Sequence, residues 1–312
     1  MARLVDLGTR LPYEEAAVVA QGFGLDTSRT WLNSLSAACA ESCQKKVLKR
    51  LQEVEDKTDK LFEAAKPSSA GRVLVLQVDG VYVLGCPEAG YCPGLEIKSA
   101  VLYPQNSPGE RWMLADRCSA EDFLPLLAGL LTEAKVTPQD TLVGLGDGAA
   151  WIDNICCHLD TVRITDVYHA VEYLDLIMQA LHWDEAKRAS HRRDWYRADT
   201  SARDWLTQHL PEPELWLTWD EAAIKALHYL EKRLDSMDYP SFKNNGYPIG
   251  SGQVEAMNKS VIGHRLKRSG MHWSEQGAAG MAALRAQTCA KHPLVTFDTL
   301  RFDAFSLPAS SP

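Results

Sequence analysis

Two aspartates stand where a metal-dependent enzyme would place ligands. Asp79 follows the apolar run 73–78, and Asp147 follows the run 141–145 and Gly146. A glycine comes directly after each aspartate. A charged side chain beside a buried strand is costly unless it is solvated or paired, and open α/β sheets gather ligands at the carboxyl ends of their strands. Carboxylate oxygens suit Mg²⁺ or Mn²⁺. If the two strands are neighbours, two ions about 4 Å apart would stabilise both the attacking and the leaving oxygen of a phosphodiester.

A third carboxylate lies far along the chain, in the stretch 250–259, which reads GSGQVEAMNK. Ser251 is a helix-capping residue type, and Glu255 then falls about one turn into the helix. Asn258 and Lys259 follow on the same face. We expect Glu255 to complete the metal site. Four cations extend this face with charges suited to phosphate, and we predict that they bind DNA: Lys259, Arg265, Lys267 and Arg268.

Each of these features also has a plainer interpretation. Asp79-Gly80 is a common turn dipeptide, Asp147 is well placed to cap the helix that follows it, and the basic stretch after Glu255 could be a solvated helix face. The two Asp-Gly pairs together with the stretch around Glu255 favour a shared site over three unrelated coincidences.

The order of the predicted elements favours an α/β fold. The runs 73–78, 81–84 and 96–103 predict an antiparallel meander whose first strand ends at Asp79. A capped helix from Ser119, a strand at 141–145, a helix around 151–156, a strand at 161–165 and a helix after Asp166 follow in turn. This order predicts an RNase H-like mixed sheet flanked by helices, with a helical insertion and an N-terminal helical segment.

The predicted organisation has five parts. The N-terminal helices, with Pro12 opening the first and Gly22-Phe23-Gly24 interrupting it, suggest either a helix-turn-helix or a helical hairpin packed on the main domain. The parts are 1–66, the helical segment and a possible truncated DNA-binding region; 72–174, the first part of the core; 175–240, the insertion; 241–292, the C-terminal catalytic helix of the core; and 293–312, a tail.

Charge is unevenly distributed along the chain. The formal net charge of −8 counts against a simple DNA-binding protein, because phosphate contacts dominate such affinity. Residues 241–291 nevertheless carry seven Lys and Arg against two acids, and residues 185–203 carry six against three. A locally basic track on an acidic body is compatible with DNA binding at one face.

Apolar patterning and cysteine usage point to the cytoplasm. No apolar run approaches the roughly 20 residues of a membrane span, and the first ten residues lack the layout of a signal peptide, so we expect no membrane partner. The eight cysteines show no framework spacing, which predicts reduced thiols. Cys39 and Cys43, four apart, fit a helix face better than a zinc site.

Four motifs in this chain resemble those of a known family. They are Asp79-Gly80; Gly146-Asp147-Gly148-Ala149; Asp166-x-Tyr168-His169; and Glu255 followed by Arg265-Leu266-Lys267-x-x-Gly270-Met271-x-Trp273-Ser274. Together they resemble bacterial insertion-sequence DDE transposases of the Kra group over roughly residues 70–290. The last motif is long and specific, whereas the Asp-Gly pairs alone are not.

The resemblance implies an RNase H-like core that cleaves DNA at element ends and transfers the freed 3′-hydroxyl into target DNA. It implies two Mg²⁺ or Mn²⁺ ions held by Asp79, Asp147 and Glu255, with Asp166 and His169 near the metal ligands. A helix cap is an equally good role for Asp166. Pairing two element ends implies a homodimer or a larger assembly on DNA.

The N-terminus departs from the family pattern. Family members usually carry a longer DNA-binding region there, whereas this chain offers about 65 residues that are not basic, so we expect a short or truncated copy. Two rival functions stay open. One is an RNase H-like nuclease or resolvase without strand transfer, and the other is a non-catalytic DNA-binding transposase remnant.

Overall fold

A computed structural model describes residues 1–55, 71–87, 90–210, 212, 216 and 218–300. The strands are β1 Val73–Leu84, β2 Gly94–Pro104, β3 Trp112–Asp116, β4 Thr141–Gly146 and β5 Val162–Thr165. The first helices are α1 Ala2–Arg10, α2 Tyr13–Gly22, α3 Arg29–Glu55, α4 Ala120–Glu133, α5 Ala150–His158 and α6 Val167–Ala180. They are followed by α7 Glu185–Tyr196, α8 Ala202–His209, α9 Glu221–Glu231, α10 Tyr239–Asn244, α11 Gly252–Met257, α12 His264–Leu266 and α13 Glu275–Cys289.

The five strands form one mixed sheet in the order β3-β2-β1-β4-β5. β4 runs parallel to both β1 and β5, whereas β2 and β3 are antiparallel. β4 is almost entirely buried, as expected for a parallel strand covered on both faces. The predicted α/β class is therefore correct. The predicted strands at 96–103, 141–145 and 161–165 are confirmed as β2, β4 and β5.

The prediction that the first strand ends at Asp79 is wrong. β1 continues from Val73 through Asp79 and Gly80 to Leu84, so the two predicted strands are one. Turn propensity of an Asp-Gly pair is a local preference, and hydrogen bonding to neighbouring strands overrides it. Asp79 consequently lies within a strand, where its backbone is held in the sheet.

The chain divides into two compact units. Unit 1 combines Met1–Arg72, Val78–Asp140 and Gln253–Pro312, and unit 2 combines Val73–Gln77 with Thr141–Gly252. The predicted five-part division stays a prediction. Part of it lies outside the described residues, namely the end of the N-terminal helices, the linker near residues 66–70, residues 211, 213–215 and 217 of the insertion, and the tail from 301 onward.

The N-terminal helices form part of the core of unit 1. α3, capped by Ser28, whose Oγ accepts from the Trp31 amide at 3.1 Å, packs against α4 and α13. The packing is close, because a Cβ at Gly129 would lie 2.5 Å from the Leu51 carbonyl oxygen and one at Gly280 would lie 3.1 Å from the Ala40 backbone. Of the two predicted arrangements, the structure shows helices packed on the main domain.

An ion pair joins Arg72 and Asp140 of unit 1, just before β1 and β4 begin. The Asp140 side chain accepts from the Arg72 guanidinium at 2.8 Å, and also from the amides of Arg72 and Thr137. Burial raises the pKa of Asp140, but these hydrogen bonds outweigh it and lower the pKa from 3.8 to about 2. The carboxylate side chain is only 4% exposed, so solvent screens it little.

This pair predicts a pH-dependent stability. A lowered folded-state pKa stabilises the fold above the unfolded pKa, and that stabilisation is lost as pH falls from about 4 towards 2. Asp140→Asn should lower the free energy of unfolding by about 2 kcal/mol at pH 7 and by much less near pH 2. Urea denaturation at both pH values measures this difference, and an equal loss at both would show that the carboxylate charge is not responsible.

Two further observations concern the helices and the cysteines. Within the described residues, every helix is too short or too polar to cross a membrane. All eight cysteines are free thiols, and Cys39 and Cys43 are both buried on α3, as predicted for a helix face. Burial raises the pKa of Cys39 to about 11 and that of Cys43 to about 12, so both thiols stay protonated.

Candidate functional site

The Asp79 carboxylate is oriented by hydrogen bonds within unit 1. Its Oδ1 accepts from the Gly80 amide at 2.7 Å, and its Oδ2 accepts from the Asn258 side-chain amide at 2.7 Å. Asn258 in turn accepts from the Ser99 hydroxyl at 2.6 Å. Ser99 is fully buried and Asn258 is nearly so. These contacts place Asp79 in a fixed orientation, and they join β1 and β2 to the segment that follows α11.

Glu255 lies on α11, where its side chain is exposed. It precedes Asn258 by three residues, and residues three apart are neighbours on a helix surface. A π-helical turn, Asn258–Gly263, begins at Asn258. Such turns occur frequently at functional sites. The hydrogen bond from Asn258 to Asp79 therefore brings the helical segment that carries Glu255 onto the strand that carries Asp79.

Asp147 directly follows β4 in unit 2 and is half-buried. Its Oδ1 accepts from the Ala149 amide at 2.8 Å. Within the described residues, Oδ2 makes no hydrogen bond. A carboxylate with one oxygen anchored and the other uncommitted has the donor chemistry that a hard cation requires.

A pair of side chains from α9 supports the Asp147 loop. Tyr229 donates to the Asp147 carbonyl at 2.5 Å, and Arg233 donates to the Gly148 carbonyl. Gly148 has φ +82°, and a Cβ there would lie 2.5 Å from the Tyr229 hydroxyl, so both the backbone conformation and the space require glycine. Arg233 also lies 3.2 Å from Asp153. Burial raises the pKa of Tyr229, which keeps its hydroxyl protonated as a donor.

Asp166 links two segments of unit 2. It is fully buried. Its Oδ1 caps α6 by accepting from the Tyr168 and His169 amides at 2.7 and 3.0 Å. Its Oδ2 accepts from the Ser251 amide at 2.5 Å. The cap interpretation is therefore confirmed, and the same carboxylate fixes Ser251, the residue directly before α11.

His169 is less constrained than Asp166. Its side chain is 46% exposed, and its Nδ1 lies 3.8 Å from the Glu172 carboxylate. Its backbone amide donates a hydrogen bond to Asp166. Its side chain makes no described contact with Asp79, Asp147 or Glu255. Its predicted place near the metal stays a prediction.

The prediction that Arg265 binds DNA is wrong for this structure. Its side chain is fully buried in unit 1, donates to the Gly8 carbonyl at 3.0 Å and stacks on the rings of Tyr13 and Trp273 at 4.6 and 5.1 Å. A guanidinium in this position cannot reach a phosphate. The long motif around it is structural, since Trp273 also donates to the Leu266 carbonyl at 3.0 Å.

The remaining predicted DNA contacts differ in their availability. Lys259 and Lys267 are exposed. Arg268 is 38% exposed, lies 3.5 Å from the Glu15 carboxylate and donates to the His264 carbonyl. Arg285, part of the same basic stretch, is buried and donates to the carbonyls of Thr9, Ser260 and Val261. Two of the seven cations in this stretch therefore serve the fold and not a ligand.

The three acids offer the kind of donor atom that a hard metal ion binds. Asp79 and Asp147 present carboxylate oxygens oriented by neighbouring amides, and Glu255 is exposed. These are the hard oxygen donors that Mg²⁺ and Mn²⁺ accept. In the described part of the chain, no three His, Cys, Asp or Glu side chains are grouped closely enough to hold an ion. The assignment of the three acids as metal ligands stays a prediction.

Sequence reasoning missed the residues that orient the acids. Tyr229 and Arg233 hold the carbonyls of Asp147 and Gly148 from 82 and 85 positions away. Ser99 holds Asn258 from 159 positions away. Asn258 had a sequence signal, since it lies one turn after Glu255, but its partner could not be inferred. Neither a protein-family model nor a curated protein matches this chain.

Proposed function

We propose that this chain is the catalytic core of an RNase H-like DDE transposase, which cleaves DNA and joins the freed 3′-hydroxyl to a target strand. The observation that carries the proposal is the hydrogen bond between Asn258 and Asp79. It ties the helical turn after Glu255 to the strand of the first aspartate, as a site built from widely separated acids requires.

The strand register supports the same proposal. The pairing of β1 with β4 runs to Gln77 opposite Leu145, and each aspartate comes two residues later, at 79 and 147. The mixed sheet, with β1, β4 and β5 parallel and β2 antiparallel to β3, agrees with the strand order expected of an RNase H-like core. The motif resemblance supplies the choice of strand transfer over simple hydrolysis.

Each acid has a distinct task in this reaction. When bound, Mg²⁺ or Mn²⁺ ions would lower the pKa of the attacking group and stabilise the leaving 3′-oxygen. Asp79 is held in place by Asn258 and the Gly80 amide, so it would bind an ion with little reorganisation. Asp147 offers its uncommitted Oδ2. Glu255, exposed on α11, would complete the ligand set. No serine or tyrosine nucleophile is needed.

The partners follow from the same reaction. DNA, both the element ends and the target, is the proposed substrate, and a homodimer or larger assembly would hold two ends together. Lys259 and Lys267 are the predicted phosphate contacts that the structure leaves exposed. Arg268 is partly exposed but lies beside Glu15. Arg265 is buried and is not among the proposed DNA contacts.

A cleavage and joining assay tests the function. The full-length protein is incubated in Mn²⁺ with a supercoiled plasmid carrying the DNA that flanks its gene, and then with the same ends pre-cut to expose 3′-hydroxyls. A transposase should nick the first substrate and join the second. Nicking without joining would favour the nuclease or resolvase. Metal-independent binding without nicking would favour the non-catalytic remnant.

Loss of the Asn258 amide should weaken the site without destroying it. Asn258→Ala removes the side-chain amide that donates to Asp79 Oδ2 and one of the two acceptors of the Ser99 hydroxyl, and loss of such an outer partner typically costs 10–100-fold in metal affinity or activity. We expect the Mn²⁺ concentration for half-maximal nicking to rise by about that factor. Ser260→Ala, in the same π-helical turn, should leave it unchanged. An unchanged metal dependence in Asn258→Ala would show that Asp79 needs no such support.

A further inference from the structure

Two exposed tyrosines form a stacked pair on unit 2. Tyr168, in the first turn of α6, is 57% exposed and Tyr196, at the end of α7, is 42% exposed. Their ring centroids lie 5.1 Å apart at an interplanar angle of 33°. Large aromatic surfaces are normally buried, and the contact between the two rings leaves much of each ring in solvent. The pair is therefore an aromatic platform without a partner among the described residues.

The platform lies beside a segment already assigned to the site. A Cβ placed on Gly250 would lie 3.1 Å from Cε2 of Tyr168, so the ring packs directly against that backbone. The next residue, Ser251, is fixed by Asp166. The backbone amide of Tyr168 donates a hydrogen bond to the Asp166 carboxylate at 2.7 Å. The same buried carboxylate therefore fixes the platform and the residue before α11.

The two basic stretches of the sequence meet next to this platform. Arg193 lies three residues before Tyr196 on α7, on the same face, and Arg197 follows directly. Lys243, from α10, donates to the Arg197 carbonyl at 2.5 Å. Within the described residues, neither Arg193 nor Arg197 forms an ion pair through its side chain, and both are exposed.

One of the four acids near the platform, Asp175, is neutralised by arginines. Asp175, which faces Tyr196, lies 2.8 Å from Arg188 and 2.5 Å from Arg192. Glu172 is exposed and lies 3.8 Å from His169. Asp194 and Asp199 flank the cations along the chain. Within the described residues, the exposed cations Arg193, Arg197 and Lys243 form no ion pair, so they can bind an anion beside the rings in competition with Glu172, Asp194 and Asp199.

We infer that Tyr168 and Tyr196 stack an unpaired nucleobase of single-stranded DNA, with its neighbouring phosphates on Arg193, Arg197 and Lys243. The combination of stacking rings and adjacent cations is how single strands are bound without base readout. Bases within a duplex present their edges and not their faces, so the platform selects DNA that is already unpaired. The inference rests on the proposed function for its choice of DNA, and it adds the kind of strand that is recognised.

The test is DNA binding by the full-length protein. Fluorescence anisotropy measures the dissociation constant for a short labelled oligothymidylate, for the same backbone with abasic residues, and for a duplex. Stacking is worth about 1–3 kcal/mol per base, or roughly 5–150-fold in affinity. Tyr168→Leu/Tyr196→Leu should weaken oligothymidylate binding by about tenfold or more. Tyr168→Phe/Tyr196→Phe, which keeps the rings, should bind nearly as well as the parent protein.

Matched controls separate stacking from general damage. Tyr91→Leu removes another exposed tyrosine, 70% exposed and in unit 1, and should change binding by less than about twofold. The abasic strand should bind the parent and the leucine variant equally well. Thermal melting verifies that each variant is folded.

Two outcomes would overturn the inference: equal binding of the parent to thymidylate and abasic strands, or unchanged thymidylate binding by a folded leucine variant. If plasmid nicking proceeds normally in either case, the platform alone has failed and the proposed function stands. If the parent stacks thymidylate but never nicks DNA in Mn²⁺, the proposed function has failed and the platform stands.

Discussion

Asp147→Asn should reduce metal-dependent nicking by about 10³-fold or more, and Asp79→Asn should do the same. Loss of a carboxylate ligand forfeits several kcal/mol of charge stabilisation in the transition state, and each 1.36 kcal/mol is a factor of ten in rate. Asparagine keeps the shape of the side chain, and at Asp147 its oxygen can still accept from the Ala149 amide. The fold should therefore survive while the reaction is lost.

Controls for this pair use a carboxylate away from the site. Asp199→Asn changes an exposed aspartate of unit 2, which also holds Asp147, and should retain full activity. Thermal melting confirms that each variant is folded, and initial rates in Mn²⁺ measure the loss. Near-normal nicking by either folded variant would show that the acid in question is not a ligand, and that Asp79 or Asp147 is only a structural residue.

Arg265→Ala should lower the free energy of unfolding by about 3 kcal/mol or more. The substitution removes a fully buried side chain, leaves the Gly8 carbonyl without its donor and opens a cavity between Tyr13 and Trp273. A lost hydrogen bond to a charged group costs about 1.5–3 kcal/mol, and truncation of a large buried side chain adds a cavity cost.

The matched variant is Lys267→Ala, two residues later. Its side chain is exposed, and surface substitutions usually change stability by less than about 0.5 kcal/mol. Urea denaturation compares the two. DNA binding should show the opposite pattern, with the salt dependence of affinity reduced in Lys267→Ala. A stable Arg265→Ala protein with weakened DNA binding would restore Arg265 as a phosphate contact.

Some elements were predictable because their signals are local. The apolar runs of β2, β4 and β5 and the Ser119 cap are confirmed. Others depended on partners distant in sequence. β3 is only five residues long, and a run that short is difficult to recognise without the neighbour that pairs with it.

The errors at Asp79 and Arg265 have the same origin. Asp79-Gly80 carries a local turn preference, yet sheet pairing draws both residues into β1. Arg265 lies among exposed cations in a basic sequence, yet its hydrogen-bond acceptor is Gly8, 257 residues earlier. At both positions the sequence shows a charged residue but not its surroundings. Contacts with distant segments place Asp79 inside a strand and bury Arg265.

The sequence predicted the three acids of the candidate site but not the residues that hydrogen-bond to them. Asp79, Asp147 and Glu255 were chosen from the pattern of strands, helix spacing and motif resemblance, and their role as ligands stays a prediction. Ser99 and Tyr229 carry no sequence signal, because a buried hydroxyl becomes informative only when its acceptor is known. Asp166 was assigned two alternative roles, and its two carboxylate oxygens serve two different segments.

The most direct test of the central claim is an anomalous difference map from crystals of the full-length protein grown with Mn²⁺ and a DNA end. We predict two peaks about 4 Å apart, each roughly 2.2 Å from a carboxylate oxygen, with Asp79 and Asp147 in contact with the ions and Glu255 completing the set. If crystals of protein that nicks DNA show Mn²⁺ at other residues and none at Asp79 or Asp147, the three-acid site is contradicted.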